Sequence, residues 1–312
     1  MIPAAVGIDV GGTKCLGVAL GEDGTVIAEY RLPTPDSPEE LIETLAHIAE
    51  HLGAAGSVGV AVPGLVNRDG VLIAAANLTG VKMLRLRELL EVRSGLRILV
   101  DNDNTVACLA EWKLGAGRGV DDLVLVGLGT GIGGGFVSGG VLQRGHNGFA
   151  GEFGHMIVQP NGIQCTCGQR GCWERYASGN SLGHHAREAA ARGHLDEVLS
   201  IAGRIEEIRG EHVTAAARAG DAQALAVIDT FSDWVAVGLV NLTNIYDPGV
   251  IVLSGGVSAD PELFLPPIER AFHESLYGGH DREWPRLGFA QLGPLAGGIG
   301  AALLTQAWAH QL

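Results

Sequence analysis

The sequence predicts an α/β protein that is built from two similar lobes. The chain has 312 residues, 46% of them apolar, so it is long enough for two lobes and apolar enough to bury a large core. One order of elements also occurs twice, at residues 4–32 and 122–143: strand, Gly-Thr turn, strand, turn, strand. Two such lobes facing each other, each with a glycine turn, would enclose a cleft.

The first lobe is expected to span residues 1–115 and to include a C-terminal helix at about 298–312. Ser37 is placed to cap its first helix, because a serine side chain can accept a hydrogen bond from an amide of the first turn. Short apolar runs between glycine or proline turns predict strands. The expected strands are 4–10, 15–20, 25–32, 58–62 and 97–100, and the expected helices are 38–52 and 105–114.

The second lobe is expected to span residues 116–297. Apolar runs of strand length predict its sheet, and longer segments with helical periodicity predict its helices. The expected strands are 122–128, 135–138, 141–143 and 250–253; the expected helices are 181–190 and 221–244, before the last helix of the chain at 297–309.

The charge and the N-terminal pattern exclude several classes of protein. A net charge of −14 gives no counterion-release affinity for nucleic acid, and an anionic ligand would need a locally built site. Residues 1–8 lack the basic start of a signal peptide, and no apolar stretch reaches the length of a membrane span. A cytoplasmic protein with neither membrane nor nucleic-acid partners is therefore expected.

The first candidate phosphate site is a glycine turn that contains Asp9, Gly11, Gly12, Thr13 and Lys14. Its main-chain amides can converge on an anion, beside the hydroxyl of Thr13 and the ammonium of Lys14. Asp9 could hold Mg²⁺, since hard cations take carboxylate oxygens. The strand-like run that follows excludes a Walker A loop and leaves a plain hairpin turn as the alternative.

The second candidate is the run Gly-Thr-Gly-Ile-Gly-Gly at residues 129–134. It matches the G-x-G-x-x-G spacing of dinucleotide-binding folds, but that fingerprint requires a helix after the glycines. Residues 135–140 contain three glycines and make a poor helix. Gly255 and Gly256 follow a buried strand and form a third glycine pair that could pass beside a nucleotide.

One histidine and three cysteines lie close together in the sequence: His155, Cys165, Cys167 and Cys172. They have the number and softness of ligands for tetrahedral zinc. Four protein ligands would close the site, so the ion would be structural. The alternative is three buried thiols and a core histidine, and the two remaining cysteines, Cys15 and Cys108, are expected to be packing residues.

Polar side chains follow the strand at 97–100, in the run Asp-Asn-Asp-Asn at 101–104. Carboxylates and amides at a strand end commonly face a cleft, and a sugar needs such fixed donors and acceptors. The alternative is an Asx-rich turn in which Asn104 caps the next helix. Glu152 and Glu174 bracket the expected zinc loop, which would hold both carboxylates rigidly; otherwise they are solvated loop charges.

Together these segments resemble the ROK family of bacterial sugar kinases, repressors and related open reading frames. The resemblance covers essentially the whole chain, and its most specific part is Gly-Glu-x-Gly-His followed by Cys-x-Cys-Gly-x-x-Gly-Cys-x-Glu. The residues that carry it are 9–14, 102–103, 128–131, 150–155 and 165–174, and the run 167–179 is most similar to the glucokinases of the family.

The resemblance implies two RNase-H-like lobes, as in actin and hexokinase, with the active site in the cleft between the lobes. It implies ATP-dependent phosphorylation of a hexose, glucose to glucose 6-phosphate as in glycolysis, with Asp103 as the general base. ATP phosphates and Mg²⁺ are implied near Gly11, Gly12 and Thr13 and near Thr130 and Gly131, with Gly255 and Gly256 by the nucleotide.

The resemblance also implies the zinc ligands and the sugar contacts. A structural Zn²⁺ is implied on His155 and the three cysteines. Many members carry proline after Asn-Leu, where this chain has Thr79, so Asn77 is the least secure sugar contact. The contacts expected are Gly64, Asn77, Asn102, Asp103, Glu152, His155 and Glu174.

Several alternatives stay open. The sugar could be mannose, fructose, allose, N-acetylglucosamine or N-acetylmannosamine, because the shape of the pocket decides between them. The phosphoryl donor could be polyphosphate instead of ATP, and a non-catalytic sugar-sensing protein is a third possibility. A repressor is disfavoured because only eight residues precede Asp9. A homodimer or homotetramer is expected, as is usual in the family.

Overall fold

The structure is a computed structural model that describes residues 3–75 and 82–307. These residues form both strands and helices, as expected for an α/β protein. The strands are β1 (Ala5–Val10), β2 (Lys14–Leu20), β3 (Val26–Pro33), β4 (Ser57–Val62), β5 (Leu65–Val66), β6 (Leu72–Ala74), β7 (Lys82–Leu84), β8 (Arg97–Asn102), β9 (Leu123–Leu128), β10 (Ile132–Ser138), β11 (Val141–Leu142), β12 (Val250–Gly255) and β13 (Arg286–Phe289).

The α-helices account for most of the remaining chain. They are α1 (Pro38–His51), α2 (Leu86–Ser94), α3 (Asp103–Leu114), α4 (Glu174–Ala177), α5 (Gly179–Ala191), α6 (Asp196–Ala202), α7 (Gly210–Arg218), α8 (Ala222–Tyr246), α9 (Pro261–Ser275) and α10 (Ala296–Ala307). The strands and helices expected from the sequence are present with slightly shifted ends. Ser37 caps α1 as expected, because its side chain accepts a hydrogen bond from the Glu40 amide at 3.2 Å.

The chain divides into two compact units. Unit 1 comprises residues 1–121, 135–151 and 291–312, and unit 2 comprises residues 122–134 and 152–290. Thus 135–151, which the sequence placed with the second lobe, cluster with unit 1. Long-range contacts explain this: Arg144 forms an ion pair with Asp101 at 2.6 Å, and the Arg68 amide donates to the Asn147 carbonyl at 3.2 Å.

Unit 1 is built on a five-stranded sheet with the order β3-β2-β1-β4-β8. The pairs β1–β2 and β2–β3 are antiparallel, whereas β1–β4 and β4–β8 are parallel. Side chains alternate between the faces of a strand, so Val6, Ile8 and Val10 share one core with α1, while Ala5 shares the other with α3 and α10. Asp9 has the same parity as Ala5 and therefore lies on the α10 side.

Helix α10 approaches the sheet of unit 1 backbone to backbone. A Cβ atom at Gly7 would overlap the Ala302 amide, and one at Gly59 would overlap the Ala301 carbonyl. Gly300 of α10 is equally close to the Val106 carbonyl of α3. Only residues without a side chain fit at these three positions, so the glycines determine how deeply α10 sits on β1, β4 and α3.

Unit 2 contains the parallel strands β9, β12 and β13, within a sheet whose order is β11-β10-β9-β12-β13. Strand β10 begins in unit 2 and its residues from Gly135 onward belong to unit 1. The strand β10, and not a helix, follows the glycines 129–131, which excludes the dinucleotide-binding alternative.

Helix α8 is long and apolar enough to cross a membrane by length and composition alone, contrary to the expectation that no stretch is. Half of its apolar window is buried inside the structure, where it packs against α4, α5, α7 and α9. The buried side chains include Phe231 and Leu239. Its apolar character is therefore accounted for by the core of unit 2.

Replacing Gly59 by alanine tests the close approach of α10. The new methyl group would overlap the Ala301 carbonyl, a main-chain atom that cannot rotate away. We expect the free energy of unfolding to fall by about 3 kcal/mol, measured by urea denaturation. Gly249→Ala is the matched control, because its Cβ would lie 3.7 Å from the Asp122 carbonyl, an ordinary contact distance. Equal effects of the two substitutions would contradict the packing argument.

Candidate active site

The end of strand β8 in unit 1 is fixed by a helix cap. Asn102 is the N-cap of α3: its Oδ1 accepts hydrogen bonds from the amides of Asn104 (2.9 Å) and Thr105 (3.1 Å). The alternative that Asn104 caps the helix is wrong, because Asn102 is the last extended residue. Asp103 is consequently the first residue of α3, and the cap fixes its main chain.

Asp103 is held by hydrogen bonds in a half-buried position. Its Oδ1 accepts from the main-chain amide of Asn104 at 2.9 Å and from the Asn104 side-chain amide at 3.0 Å. Burial raises the pKa of Asp103 above its ordinary value, and the bonds from Asn104 partly oppose that rise. A carboxylate with a raised pKa is the group that can accept a proton near neutral pH.

Asp9 lies close enough to Asp103 for the two carboxylates to repel each other. Burial, and then the charge of Asp103, raise the pKa of Asp9 to about 7, while Lys14 opposes the shift. A Cβ atom at Gly297 would overlap the carboxyl group of Asp9, so this glycine leaves the room that Asp9 occupies beside α10. Two adjacent, half-buried carboxylates form a site that a divalent cation would stabilise.

The glycine turn after β1 is a hairpin turn. The Gly11 amide donates to the Lys14 carbonyl at 2.9 Å, and the Thr34 hydroxyl donates to the Gly11 carbonyl at 2.6 Å. Gly12 and Thr13 are exposed at its tip. The hairpin alternative is thus correct as a description of the backbone, and the tip remains accessible to an anion.

Gly64 contacts Asn102 through its carbonyl, which accepts a hydrogen bond from Asn102 Nδ2 at 3.1 Å. Its φ of 101° and the close Ala74 carbonyl exclude any side chain at this position. Asn77, the remaining expected sugar contact of this region, lies outside the described residues. Unit 1 therefore brings together Asp9, Gly64, Asn102 and Asp103.

The glycine turn of unit 2 is packed against two other segments. The Gly129 amide donates to the Gly131 carbonyl at 3.0 Å, and the Gly179 amide donates to the Gly129 carbonyl at 2.8 Å. Glu174 Oε2 accepts from the Ile132 amide at 3.0 Å. A Cβ at Gly131 would overlap that carboxylate, so the turn and Glu174 position each other.

A cavity of about 930 Å³ opens beside this turn, and its whole wall comes from unit 2. Cavities that bind small molecules measure about 300–1,000 Å³, so this one is large enough for a nucleoside triphosphate. Thr130 and Gly256 line it. Gly255 has a φ of 87° and lies against the Leu128 carbonyl, which places the third glycine pair beside the glycine turn of unit 2.

The ligand atoms of His155, Cys165, Cys167 and Cys172 all lie within 4.8 Å of one another. The Sγ atoms of Cys167 and Cys172 are 3.6 Å apart, close to the separation of about 3.8 Å that follows from tetrahedral Zn–S bonds. The structure thus brings together the whole expected set, and the geometry fits zinc. The two other cysteines are buried in unit 1.

The two glutamates that bracket the cluster are in contact with its ligands. His155 Nδ1 lies 3.9 Å from Cys165 Sγ, and His155 Nε2 lies 3.9 Å from Glu152 Oε2. Glu174 Oε1 is 3.9 Å from Cys165 Sγ. A metal on Nδ1 leaves a proton on Nε2 that can be donated to Glu152, an arrangement that orients both side chains.

The zinc loop is anchored in the core of unit 2 by Trp173. The indole N–H donates to the Trp234 carbonyl at 2.7 Å, and the side chain is fully buried. The ring lies where a Cβ at Gly238 would be, so the glycine in the middle of α8 makes room for it. This contact fixes the two flanking residues, Cys172 and Glu174.

Several residues that line these sites were not predicted from the sequence. Ser178 is the N-cap of α5. Ser178, Arg187 and Arg209 all line the unit 2 cavity. The serine before Gly179 is a helix-start signal that could have been used, whereas scattered arginines give no signal in one sequence. The partner of Asp101, Arg144, is 43 positions away from it along the chain (144 minus 101) and could be found only from the fold.

The whole chain is similar to one protein family. The model of the ROK family matches residues 5–308, and the chain therefore belongs to the ROK family. It is 36% identical over 307 residues to a glucokinase of Streptomyces coelicolor, covering 96% of this chain and 97% of that protein. It is 34% identical over 306 residues to an N-acetylmannosamine kinase of Escherichia coli, with 96% and 97% covered.

Solved structures confirm the expected fold class. A ROK family glucokinase from Streptomyces griseus, in complex with glucose and AMPPNP, superposes with a TM-score of 0.85 at 35% identity, covering 96% of this chain and 98% of that one. A ROK hexokinase from Thermus thermophilus gives a TM-score of 0.84 at 33% identity, with 99% of each chain covered.

Removing one cysteine ligand tests the metal cluster. We expect the purified protein to contain a stoichiometric amount of zinc by atomic absorption, and Cys172→Ala to lose the metal and melt at a lower temperature, because its ligand set is incomplete. Cys108→Ala, at a buried cysteine outside the cluster, is expected to keep the zinc. Protein that lacks zinc after expression in zinc-supplemented medium would refute this assignment.

The raised pKa of Asp9 predicts a pH-dependent stability. Its pKa is 3.8 in a model peptide and about 7 in the fold, so the folded chain holds an extra proton between these values. The free energy of unfolding therefore falls as pH rises through this window. Asp9→Asn cannot ionise and is expected to raise Tm above pH 7 by about 2 °C or more, without added magnesium or nucleotide.

The same substitution should leave Tm nearly unchanged near pH 3.8, where the Asp9 proton is bound in the fold. Asp36→Asn, at an exposed carboxylate of unit 1, serves as the control and should have little effect at either pH. An unchanged Tm of Asp9→Asn above pH 7 would show that Asp9 is not under strain in the fold.

Proposed function

We propose that the protein is a glucokinase, which transfers the terminal phosphoryl group of ATP to the 6-hydroxyl of glucose. The observation that carries the proposal is the position of Asp103 at the capped end of β8, in a chain that matches ROK glucokinases over nearly its whole length. The glucokinase of Streptomyces griseus, which binds glucose and AMPPNP, supports both the sugar and the donor.

Asp103 is the general base of the reaction. As the glucose hydroxyl oxygen attacks the terminal phosphorus, its proton passes to a carboxylate oxygen of Asp103, the new O–P bond forms, and ADP leaves with the electron pair of the broken O–P bond. The raised pKa of Asp103 and its fixed main chain suit this role. Asn102 and Gly64, which are joined by a hydrogen bond, are sugar contacts from unit 1.

The cavity of unit 2 takes the nucleotide. Thr130 and Gly131 contact phosphate, and Gly255 and Gly256 pass beside the nucleoside. In unit 1, the exposed amides of Gly12 and Thr13, with Gly11 and Lys14, are donors for phosphate oxygens, and Asp9 holds Mg²⁺ directly or through water. Magnesium, when bound, neutralises charge that develops on the transferred group and its leaving oxygen.

Zinc supports the sugar contacts of unit 2. The cluster of one histidine and three cysteines would bind Zn²⁺ and fix the loop that carries Glu174, while His155 would bind it through Nδ1 and orient Glu152 through Nε2. Glu152, His155 and Glu174 are thereby set as rigid partners for sugar hydroxyls. Rigid donors and acceptors discriminate between sugars better than mobile ones do.

A second candidate function is phosphorylation of N-acetylmannosamine, because an N-acetylmannosamine kinase of Escherichia coli is 34% identical to this chain. Glucose is favoured by the higher identity and by the glucose-bound structure. We further propose that the enzyme acts in the cytoplasm, at the first step of glycolysis, and as a homodimer or homotetramer.

Substitution of the base tests the proposal. Asp103→Asn keeps the size of the side chain but cannot accept the proton, so kcat for glucose-dependent ADP release is expected to fall by about 10²-fold or more. Glucose affinity, measured by calorimetry, should change little. Asp36→Asn is the control and should turn over like the unsubstituted enzyme. Full activity of Asp103→Asn would remove Asp103 from the mechanism.

A further inference from the structure

Another cavity, in unit 1, lies against strand β8 and has a volume of about 170 Å³. Cavities for drug-sized ligands begin at about 300 Å³, so this one suits a small ion or the end group of a larger molecule. Its apolar wall includes Leu304, and its charged wall is formed by Arg68, Arg87, Glu91, Arg97, Asp101 and Arg144.

The charges around this cavity do not balance. Four guanidinium groups face two carboxylates, in a chain whose net charge is −14. Arg144 is paired with Asp101, at 2.6 Å. Within residues 3–75 and 82–307, no carboxylate lies within ion-pair distance of Arg68, Arg87 or Arg97. A local excess of positive charge in an acidic protein attracts anions.

Two of these arginines are held in place by uncharged main-chain groups. Arg68 donates two hydrogen bonds to the Gly145 carbonyl, at 2.6 and 3.0 Å, and Arg87 donates to the Arg68 carbonyl at 2.5 Å. These bonds fix the guanidinium planes without neutralising their charges, and Asp101, which is already paired with Arg144, interacts with the charge of Arg68 only from beyond ion-pair distance. The Nε atom of Arg87 is buried and has no hydrogen-bond partner in the described structure. A buried donor without an acceptor is unfavourable, and a bound anion would supply one.

Glu91, the second carboxylate of the wall, forms no ion pair with these arginines and is held by the main chain instead. Its Oε1 accepts a hydrogen bond from the Ile98 amide at 3.1 Å. Arginine is suited to tetrahedral oxyanions, since its planar donors bind two oxygens at once. A carboxylate would occupy fewer of the available donors than a phosphate group, which presents three or more oxygens.

We propose that this cavity is a binding site for a phosphate dianion, held by Arg87 and Arg97 with Arg68 beside them. The dianion is either free inorganic phosphate or the phosphate end of a phosphomonoester such as glucose 6-phosphate. The site is independent of the proposed phosphoryl transfer, because none of these arginines is assigned to the sugar, the nucleotide or the base.

Calorimetric titration of the full-length, zinc-loaded protein tests the proposal. Inorganic phosphate and glucose 6-phosphate are titrated separately, at an ionic strength held constant with sodium chloride. Arg97→Gln is the main variant, since its exposed side chain can be replaced without loss of packing, and Arg87→Gln is the second. Arg85→Gln is the matched control, because Arg85 is paired with Glu88 on the surface and does not line the cavity.

We expect at least one anion to bind the unsubstituted protein and Arg85→Gln equally, and to bind Arg97→Gln and Arg87→Gln about tenfold or more weakly. If only inorganic phosphate shows this dependence, the ligand is the free ion; if glucose 6-phosphate shows it as well, the cavity accepts phosphomonoesters. Absence of binding to the unsubstituted protein overturns the proposal, and so does equal binding to all four proteins.

Discussion

The close contact of helix α10 with β1, β4 and α3 is the constraint on which unit 1 depends. Glycines at Gly7, Gly59 and Gly300 let main-chain atoms meet where side chains would normally intervene. As a result, the start of α10 lies against Asp9 on β1, while Gly300 of the same helix touches Val106 of α3, three residues after Asp103. One packing arrangement therefore brings two carboxylates from distant parts of the chain close together.

The closeness of these two carboxylates is unfavourable in the absence of a cation, because their charges repel each other, and it would favour the binding of a cation. Dehydration and mutual repulsion raise the pKa of Asp9, which means that ionised Asp9 is under strain and lowers the stability of the fold. A cation bound there would relieve the strain. In unit 2, Trp173 ties the loop to the core, and Glu174 accepts a hydrogen bond from the Ile132 amide of the glycine turn. A metal ion on the cluster of one histidine and three cysteines would add a further constraint on the same loop.

The sequence predicted the regular elements because their signals are local: apolar runs for strands, Ser37 for a cap, glycines for turns. It also predicted that His155, Cys165, Cys167 and Cys172 come together, since they lie close to one another in the sequence. Contacts between segments that are distant along the chain were not predicted from the sequence. The pairing of Arg144 with Asp101, the room that Gly238 leaves for Trp173, and the assignment of 135–151 to unit 1 all depend on tertiary packing. The choice of Asn102 over Asn104 as the cap escaped it because four adjacent polar residues compete for one role.

The proposed phosphorylation of glucose is tested most directly by the rate of ADP release from Mg-ATP with a panel of sugars. The panel consists of glucose, mannose, fructose, N-acetylglucosamine and N-acetylmannosamine, and the sample is folded and zinc-loaded. We expect saturable turnover with glucose, at a higher kcat/KM than with any other sugar of the panel. Turnover with N-acetylmannosamine alone would contradict glucose as the substrate and favour N-acetylmannosamine kinase activity. No turnover with any sugar would contradict sugar kinase activity altogether.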